Sequence, residues 1–161
     1  MDELGNERKD TSIIKGFRED YHSNYLRLDK CYTFQKIEKE FGVKLSKFGN
    51  GINYSPSSII LISKIQENAN EYVYHDHWTE EGDYIYSGEG KIGDQVLNRG
   101  NAEIVNAASK GKKIYLFVKL CSNVYYYQGI FQLLNYTTEQ DKDELGDYRR
   151  EFKFHLQRVG E

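Results

Sequence analysis

The sequence predicts an α+β fold: a curved, mainly antiparallel sheet or open barrel with flanking helices. Three observations predict it. Strand-like stretches outnumber helix-like ones. The strands near the C-terminus alternate apolar and polar residues. The two helix signals are short, and glycine ends each of them. At 161 residues and 39% hydrophobic content, the chain is long enough for one compact domain with its own core.

The elements follow in chain order. Residues 1–28 are polar with few apolar anchors, and read as a mobile or helical leader before a domain over 29–161. Thr33 can cap a short helix, because Phe34, Ile37 and Phe41 recur at helical spacing before Gly42 stops the run. Gly49, Gly51 and Pro56, the one proline of the chain, mark a loop. Ser58–Ser63 (SIILIS) is a β-branched apolar run of buried-strand length, and Tyr72–Trp78 can follow it as a hairpin partner. Asn101–Ala108 reads as a second helix, with Asn101 as cap, Glu103 in its first turn and Ile104, Val105 and Ala108 facing inward; Gly111 ends it. Lys113–Leu120 alternates Ile114, Leu116, Val118 and Leu120 on one face. Val124–Leu134 is a tyrosine-rich strand, Thr137–Asp147 a solvated loop, and Glu151–Val159 a strand alternating Phe152, Phe154 and Leu156 against Lys153, His155 and Gln157.

Composition narrows the function classes. No apolar run approaches the roughly 18–20 residues that span a bilayer, and the charged N-terminus lacks the apolar core of a signal peptide. The expected setting is the cytoplasm, without a membrane partner. Cys31 and Cys121 stand in no metal-ligand spacing and read as reduced packing residues. A net charge of −3 disfavours a nucleic-acid binder overall. A local basic face remains open, with Lys110, Lys112 and Lys113 clustered and Lys91 and Arg99 close by. Acidic residues gather at the ends (Asp2, Glu3, Glu7; Asp141, Asp143, Glu144).

The window Tyr74–Asn101 concentrates rings, glycines and charge. Tyr74, His75, Asp76, His77 and Trp78 place a carboxylate among four rings, and Tyr84 follows nearby. In Tyr86-Ser87-Gly88-Glu89-Gly90, glycines on both sides of a carboxylate permit a tight turn and close approach to a partner. Asp94 and Gln95 precede Arg99-Gly100-Asn101, where Arg99 can reach a phosphate or a guanine edge and the helix amides can accept a phosphate. Flat walls around a buried carboxylate are what a flipped nucleobase requires: rings stack on its faces, and the carboxylate accepts from an exocyclic amine.

Tyr86-Ser87-Gly88-Glu89-Gly90-Lys91-Ile92-Gly93-Asp94-Gln95, followed by Gly100-Asn101 and a helix, resembles the YTGEGQxGDQ…GN segment of the SRA (SET- and RING-associated, or YDG) domain family. It is closest to the SRA-like modules of bacterial modification-dependent, HNH-type (type IV) restriction endonucleases. Tyr127-Gln128-Gly129, then Ile130 and Phe131, resembles the YDG signature with Gln128 in place of its aspartate. Gly51–Ser58 (GINYSPSS) resembles the Gly-Ile-x-x-Ser stretch of those modules, so the likeness spans roughly residues 30–159.

The resemblance implies a twisted, partly open β-barrel with flanking helices that binds double-stranded DNA carrying 5-methylcytosine or 5-hydroxymethylcytosine by flipping the base. It implies a non-catalytic recognition module without a cofactor, with a nuclease domain or subunit as a further partner. Tyr86 matches one stacking tyrosine, Tyr74 sits where the other belongs, and Asp76 matches the aspartate between them; His75, His77 or Trp78 are alternatives for the second ring. The expected base pocket thus draws on Tyr74–Trp78, Tyr84 and Tyr86–Glu89, and the DNA-facing turn on Gly90, Lys91, Asp94, Gln95, Arg99 and Asn101.

Plainer readings stand beside these. Tyr74 and Trp78 suit a core, Asn101 a helix cap, Glu89 a turn, and Tyr125–Tyr127 a half-buried strand. His75 and His77 share a strand face but lack a third metal ligand at a convincing spacing. Glu89-Gly90-Lys91 has the E-x-K form of a metal-dependent nuclease site, with Asp76 or Asp83 as leading acid. That site normally lies on a strand, whereas Gly88 and Gly90 argue for a loop. A small-ligand or protein-interaction module is the third class.

Overall fold

A computed structural model describes residues 26–46, 51–65 and 71–161. Most of the expected leader, residues 1–25, and Gly49 of the expected loop lie outside the described residues. The elements are β1 (Cys31–Tyr32), α1 (Phe34–Phe41), β2 (Gly51–Tyr54), β3 (Ser58–Lys64), β4 (His77–Trp78), β5 (Tyr84–Ser87), α2 (Arg99–Val105), β6 (Lys113–Cys121), β7 (Val124–Lys142) and β8 (Tyr148–Gly160). They form one sheet in the order β2-β3-β6-β7-β8-β5-β4, with β1 also paired to β7. β3 and β6 run parallel. The other pairings among the described residues are antiparallel. The sheet does not close on itself, so the fold is the expected partly open α+β architecture, with two flanking helices among the described residues.

Two cores form because the central strands are buried on both faces. Ile59 and Leu61 of β3, with Ile114 and Leu116 of β6, pack with Tyr84, Tyr86, Phe154, Leu156 and Ile104. Ile60 and Ile62, with Tyr115 and Phe117, pack on the opposite side with Ile37, Tyr125 and Tyr127. The alternation is strict, since successive strand residues point to opposite faces. Leu26 is buried in this second core and Leu28 packs against it, so the tail of the expected leader belongs to the fold.

α1 forms as its sequence dictates. Thr33 Oγ1 accepts from Lys36 N at 3.1 Å, and Gly42 closes the helix in the left-handed region at φ 62°. Four expectations change. SIILIS does not pair with Tyr72–Trp78; a strand buried on both faces needs two neighbours, and these are β2 and β6, while Trp78 pairs with Tyr84. Asn101 lies inside α2, whose N-cap is Asn98, and Ala107 rather than Ala108 faces inward. Most of Thr137–Asp147 is strand: β7 runs on through Lys142 against β8, with Thr137 opposite Lys153 and Lys142 opposite Tyr148. Cys31 and Cys121 are exposed free thiols rather than packing residues.

Tyr127-Gln128-Gly129 forms a bulge. Leu116 pairs with Gly129 and Phe117 with Tyr127, which leaves Gln128 extra. Gly129 has φ 105°, and a Cβ there would stand 2.7 Å from Gly160 O. Among the described residues no helix is long and apolar enough to cross a membrane, which says nothing about strands.

Candidate functional site

The glycine-rich loop after β5 is closed by its own side chains. Gln95 Nε2 donates to Gly88 O at 2.6 Å and Gly90 O at 3.1 Å, while its Oε1 accepts from Phe152 N at 2.8 Å. Asn101 Oδ1 accepts from Glu89 N at 2.8 Å, and its Nδ2 donates to Glu89 O at 3.1 Å and Val96 O at 3.0 Å. A Cβ on Gly88 would come within 2.6 Å of Gln95 Oε1 and 2.9 Å of Asn101 Oδ1. The close approach that glycine permits here is therefore internal. Gln95 and Asn101, expected to face DNA, are turned inward and buried.

The start of α2 is also occupied from within. Glu89 Oε2 accepts from Gly100 N at 2.9 Å, and a Cβ on Gly100 would meet that carboxylate at 2.7 Å. The helix amide expected to receive a phosphate thus already holds an anion. Burial raises the Glu89 carboxyl above its ordinary range, against the pull of Gly100 N–H and the Arg99 charge. Arg99 sits at φ 47°, a left-handed backbone that costs about 1 kcal/mol or more for a residue with a Cβ.

The opposite wall is residues 71–76, a strap without strand pairing that side chains fasten to the rest of the fold. Tyr72 OH accepts from Arg149 Nη2 at 3.0 Å and donates to Lys142 O at 3.3 Å. Tyr74 OH accepts from Gly90 N at 3.0 Å, and its ring meets Tyr72 edge-on at 5.6 Å. His75 Nδ1 lies 2.8 Å from Asp141 Oδ2. Asp76 Oδ2 accepts from Ser63 Oγ at 2.5 Å, and Oδ1 accepts from Ser87 N at 2.7 Å.

Between strap and loop opens a cavity of about 1050 Å³. Tyr74, Asp76, Tyr86, Glu89, Gly90, Lys91, Asp94, Gln95 and Arg99 line it. Tyr86 is itself buried, with its hydroxyl donating to Ile62 O at 3.1 Å. Burial is the leading influence on the ionisable groups here. It pushes the Tyr74 phenol up to about 12 and the Tyr86 phenol well above its ordinary value. It also raises the Asp76 carboxyl, against the hydrogen bonds from Ser63 and Ser87 and the positive charge of Lys153. Asp94 is held at the rim by Arg150, at 3.2 Å.

The remaining expected site residues do not line the cavity. Trp78 packs edge-on against Tyr84 at 4.8 Å, and the Arg158 guanidinium lies over its ring at 5.3 Å. Tyr84 OH meets Ser63 Oγ at 2.6 Å, so it backs Asp76 from behind. His77 lies exposed on the edge strand β4, and His75 points outward toward Asp141. Gly88 serves through its backbone, and Ser87 through its N–H, which donates to Asp76, and its hydroxyl, which accepts from Lys153 Nζ at 2.9 Å. Asp83, a candidate acid for the nuclease reading, pairs with His155 at 2.9 Å rather than facing Glu89. Among the described residues no three His, Cys, Asp or Glu side chains gather where they could hold a metal ion.

Sequence reasoning missed Tyr72, which anchors the strap, and Ser63, Asp141, Arg149, Glu151 and Lys153 beneath it. The available signal was the period of two in Arg149, Glu151 and Lys153, charges of alternating sign inside an apolar strand. The sequence pattern sets Lys153 opposite Phe152, Phe154 and Leu156 without a role for it, and all three charged residues are buried.

A family model described as ScoMcrA-like, SRA domain, matches residues 30–161. No curated protein matches the chain. Among solved structures, the type IV phosphorothioation-dependent restriction endonuclease ScoMcrA aligns at 17% identity and TM-score 0.64, covering 84% of this chain and 25% of that one. The SUVH5 SRA domain in complex with hemimethylated CG DNA aligns at 22% identity and TM-score 0.59, covering 83% and 89%. The DNA modification-dependent restriction endonuclease AspBHI aligns at 14% identity and TM-score 0.63, covering 84% and 76%. The likeness to these structures is one of fold, and this chain spans about a quarter of the length of ScoMcrA.

Proposed function

The chain belongs to the ScoMcrA-like SRA domain family, and from that membership we propose that it recognises DNA carrying a modified cytosine, taking the flipped base into the cavity lined by Tyr74, Asp76 and Tyr86. One observation carries this reading. A half-buried carboxylate with hydrogen-bonded supports and two tyrosines line the same open cavity. Aromatic faces stack on a base without regard to its sequence, and a carboxylate accepts from the N4 amine of cytosine. Lys91 and Arg99, at the mouth, suit phosphate contacts that position the duplex without reading it.

Complexes of the SUVH5 SRA domain with methylated and hydroxymethylated CG DNA, and of the sulfur binding domain and SRA domain of ScoMcrA with phosphorothioated DNA, support modified DNA as the ligand class. The module itself is read as non-catalytic. A nuclease domain or subunit elsewhere would cut, in keeping with restriction enzymes of which such a module is one part. Its place of work is the cytoplasm, with the DNA it inspects. The metal-dependent nuclease reading is disfavoured because Asp83 pairs with His155, Asp76 accepts from Ser63 and Ser87, and Glu89 accepts from Gly100 N.

The deciding experiment measures binding to otherwise identical duplexes carrying cytosine, 5-methylcytosine or 5-hydroxymethylcytosine at one position. A preference for a modified base, lost in Asp76→Ala, is expected. Equal affinity for all three overturns the reading, and binding of no nucleic acid at all points to a small-ligand or protein-interaction module.

A further inference from the structure

The strap that carries Tyr74 and Asp76 rests on a buried charged face of β8. Arg149, Glu151 and Lys153 alternate along that face and are only 3%, 1% and 5% exposed. Lys153 Nζ stands 3.6 Å from Glu151 Oε2 and 3.7 Å from Asp141 Oδ2, and Arg149 Nε 4.0 Å from Glu151 Oε1. Burying an ion is costly, and its partner repays that cost only with good geometry. The geometry here is incomplete, because Glu151 Oε2 and Arg149 Nε have no hydrogen-bond partner among the described residues. A strand that had only to pair and pack would do better with apolar residues.

The cluster reaches the proposed base reader through one link. Lys153 Nζ donates to Ser87 Oγ at 2.9 Å, and Ser87 N donates to Asp76 Oδ1 at 2.7 Å. The groups that face Asp76 come from several elements. Ser63 stands on β3, Tyr84, Tyr86 and Ser87 on β5, and Lys153 on β8 with Glu151 beside it. Asp141 on β7 completes the ring. Three carboxyl groups (Asp76, Asp141, Glu151) therefore share two basic side chains, Lys153 and Arg149. His75 adds a third at Asp141 only when protonated. Burial raises both Asp76 and Glu151, and the Lys153 charge opposes the rise at each. Arg149 is committed to Tyr72 and to Gly93 O, which leaves Lys153 as the cation that serves Asp76.

We propose that Lys153 is a positioning residue for base recognition: acting across Ser87, it keeps Asp76 ionised so that Asp76 can accept from the exocyclic amine of a flipped cytosine. The inference rests on the reading of the cavity under Proposed function. An ionised acceptor makes the stronger bond, since charge-assisted hydrogen bonds are roughly twice as strong as neutral ones. Removing the ammonium leaves Asp76 protonated to higher pH. Binding should then weaken at neutral pH and return as pH rises.

The test uses the whole chain as wild type, Lys153→Met, Lys153→Arg and Ser87→Ala. Binding to a duplex with one 5-methylcytosine, and to its unmodified twin, is followed from about pH 5 to about pH 9. The carboxyl-carbon NMR resonance of Asp76 is titrated in the DNA-free protein over the same range. Lys153→Met is expected to lose roughly tenfold in affinity at neutral pH, the worth of one hydrogen bond to a charged group. It should recover toward the alkaline end, with Asp76 titrating later than in wild type, whereas Lys153→Arg should retain the wild-type profile. A loss equal at every pH, or an unmoved Asp76 titration, overturns the inference. Should Lys153→Met fail to fold, Ser87→Ala decides, because an unmoved Asp76 titration there overturns it equally. A wild type that ignores the modification sinks the base-recognition reading, while the Asp76 resonance still decides whether Lys153 controls this carboxyl.

Discussion

The two walls of the cavity are fastened in opposite ways. Besides its bonds to Arg150 and Phe152 of β8, the loop from Tyr86 to Asn101 is knotted to itself: Gly88, Glu89 and Gly90 are joined to Gln95, Gly100 and Asn101, at most 12 positions apart. The strap over 71–76 is moored to the β7–β8 hairpin by Tyr72 and His75, across 66 to 77 positions. A loop locked by close local contacts is rigid and intolerant. A strap held by a few long-range polar bonds can be loosened one bond at a time. Damage to the loop should therefore show first in stability, and damage to the strap first in ligand binding.

The sharpest way to break this comparison is Gly88→Ala. The new Cβ would meet Gln95 Oε1 at 2.6 Å, Asn101 Oδ1 at 2.9 Å and Phe152 Cβ at 3.0 Å, and both amides are already engaged on the loop backbone. Overpacking of this kind should cost about 3 kcal/mol, read as a lower denaturant midpoint. A loss below about 1 kcal/mol would mean the loop yields and is not rigid.

Asn101→Ala probes the same knot by removal. It leaves Glu89 N, Glu89 O and Val96 O without their partner beneath α2. The expected loss is about 2 kcal/mol, because buried polar groups without partners pay their desolvation in full. Chemical denaturation measures it, and an Asn101→Asp variant should regain only the Oδ1 part of the interaction.

Tyr72→Phe tests the other wall. It removes the hydroxyl that accepts from Arg149 and donates to Lys142 O, yet keeps the ring against Tyr74. Stability should fall by about 1 kcal/mol. Binding to modified DNA should suffer beyond that fall, because Tyr74 and Asp76 ride on the freed strap. An equal effect on both quantities would erase the distinction between the walls.

The same contrast explains which parts of the molecule were legible. α1 was, because its cap, its apolar spacing and Gly42 lie within ten residues of one another. The glycine loop was recognisable as a motif for the same reason, although its glycines face Gln95, Asn101 and Glu89 instead of a ligand. β3 could be read as a buried strand, but its partners β2 and β6 could not, since an apolar run specifies burial and not neighbours. The far half of β7 looked like a loop because it is polar and exposed. Its strand character comes from pairing with β8, a non-local property. Asp76 stood out among its rings, whereas Ser63 and Lys153, which support it, are ordinary residues in their own strands.

The smallest expected effect is also the most discriminating for the strap. His75 is 72% exposed at its side chain and meets an Asp141 that is 21% exposed, so its attraction is largely screened by solvent. His75→Ala should change stability by about 0.5 kcal/mol or less, and added salt should shrink even that. Asp141→Asn should cost more, because Asp141 also stands 3.7 Å from the buried Lys153 ammonium. Thermal unfolding of the two variants at low and high salt separates these roles. A salt-insensitive loss in His75→Ala as large as that of Asp141→Asn would show that the strap is anchored mainly at its exposed end, and that the buried charges beneath it are not what holds Asp76 in place.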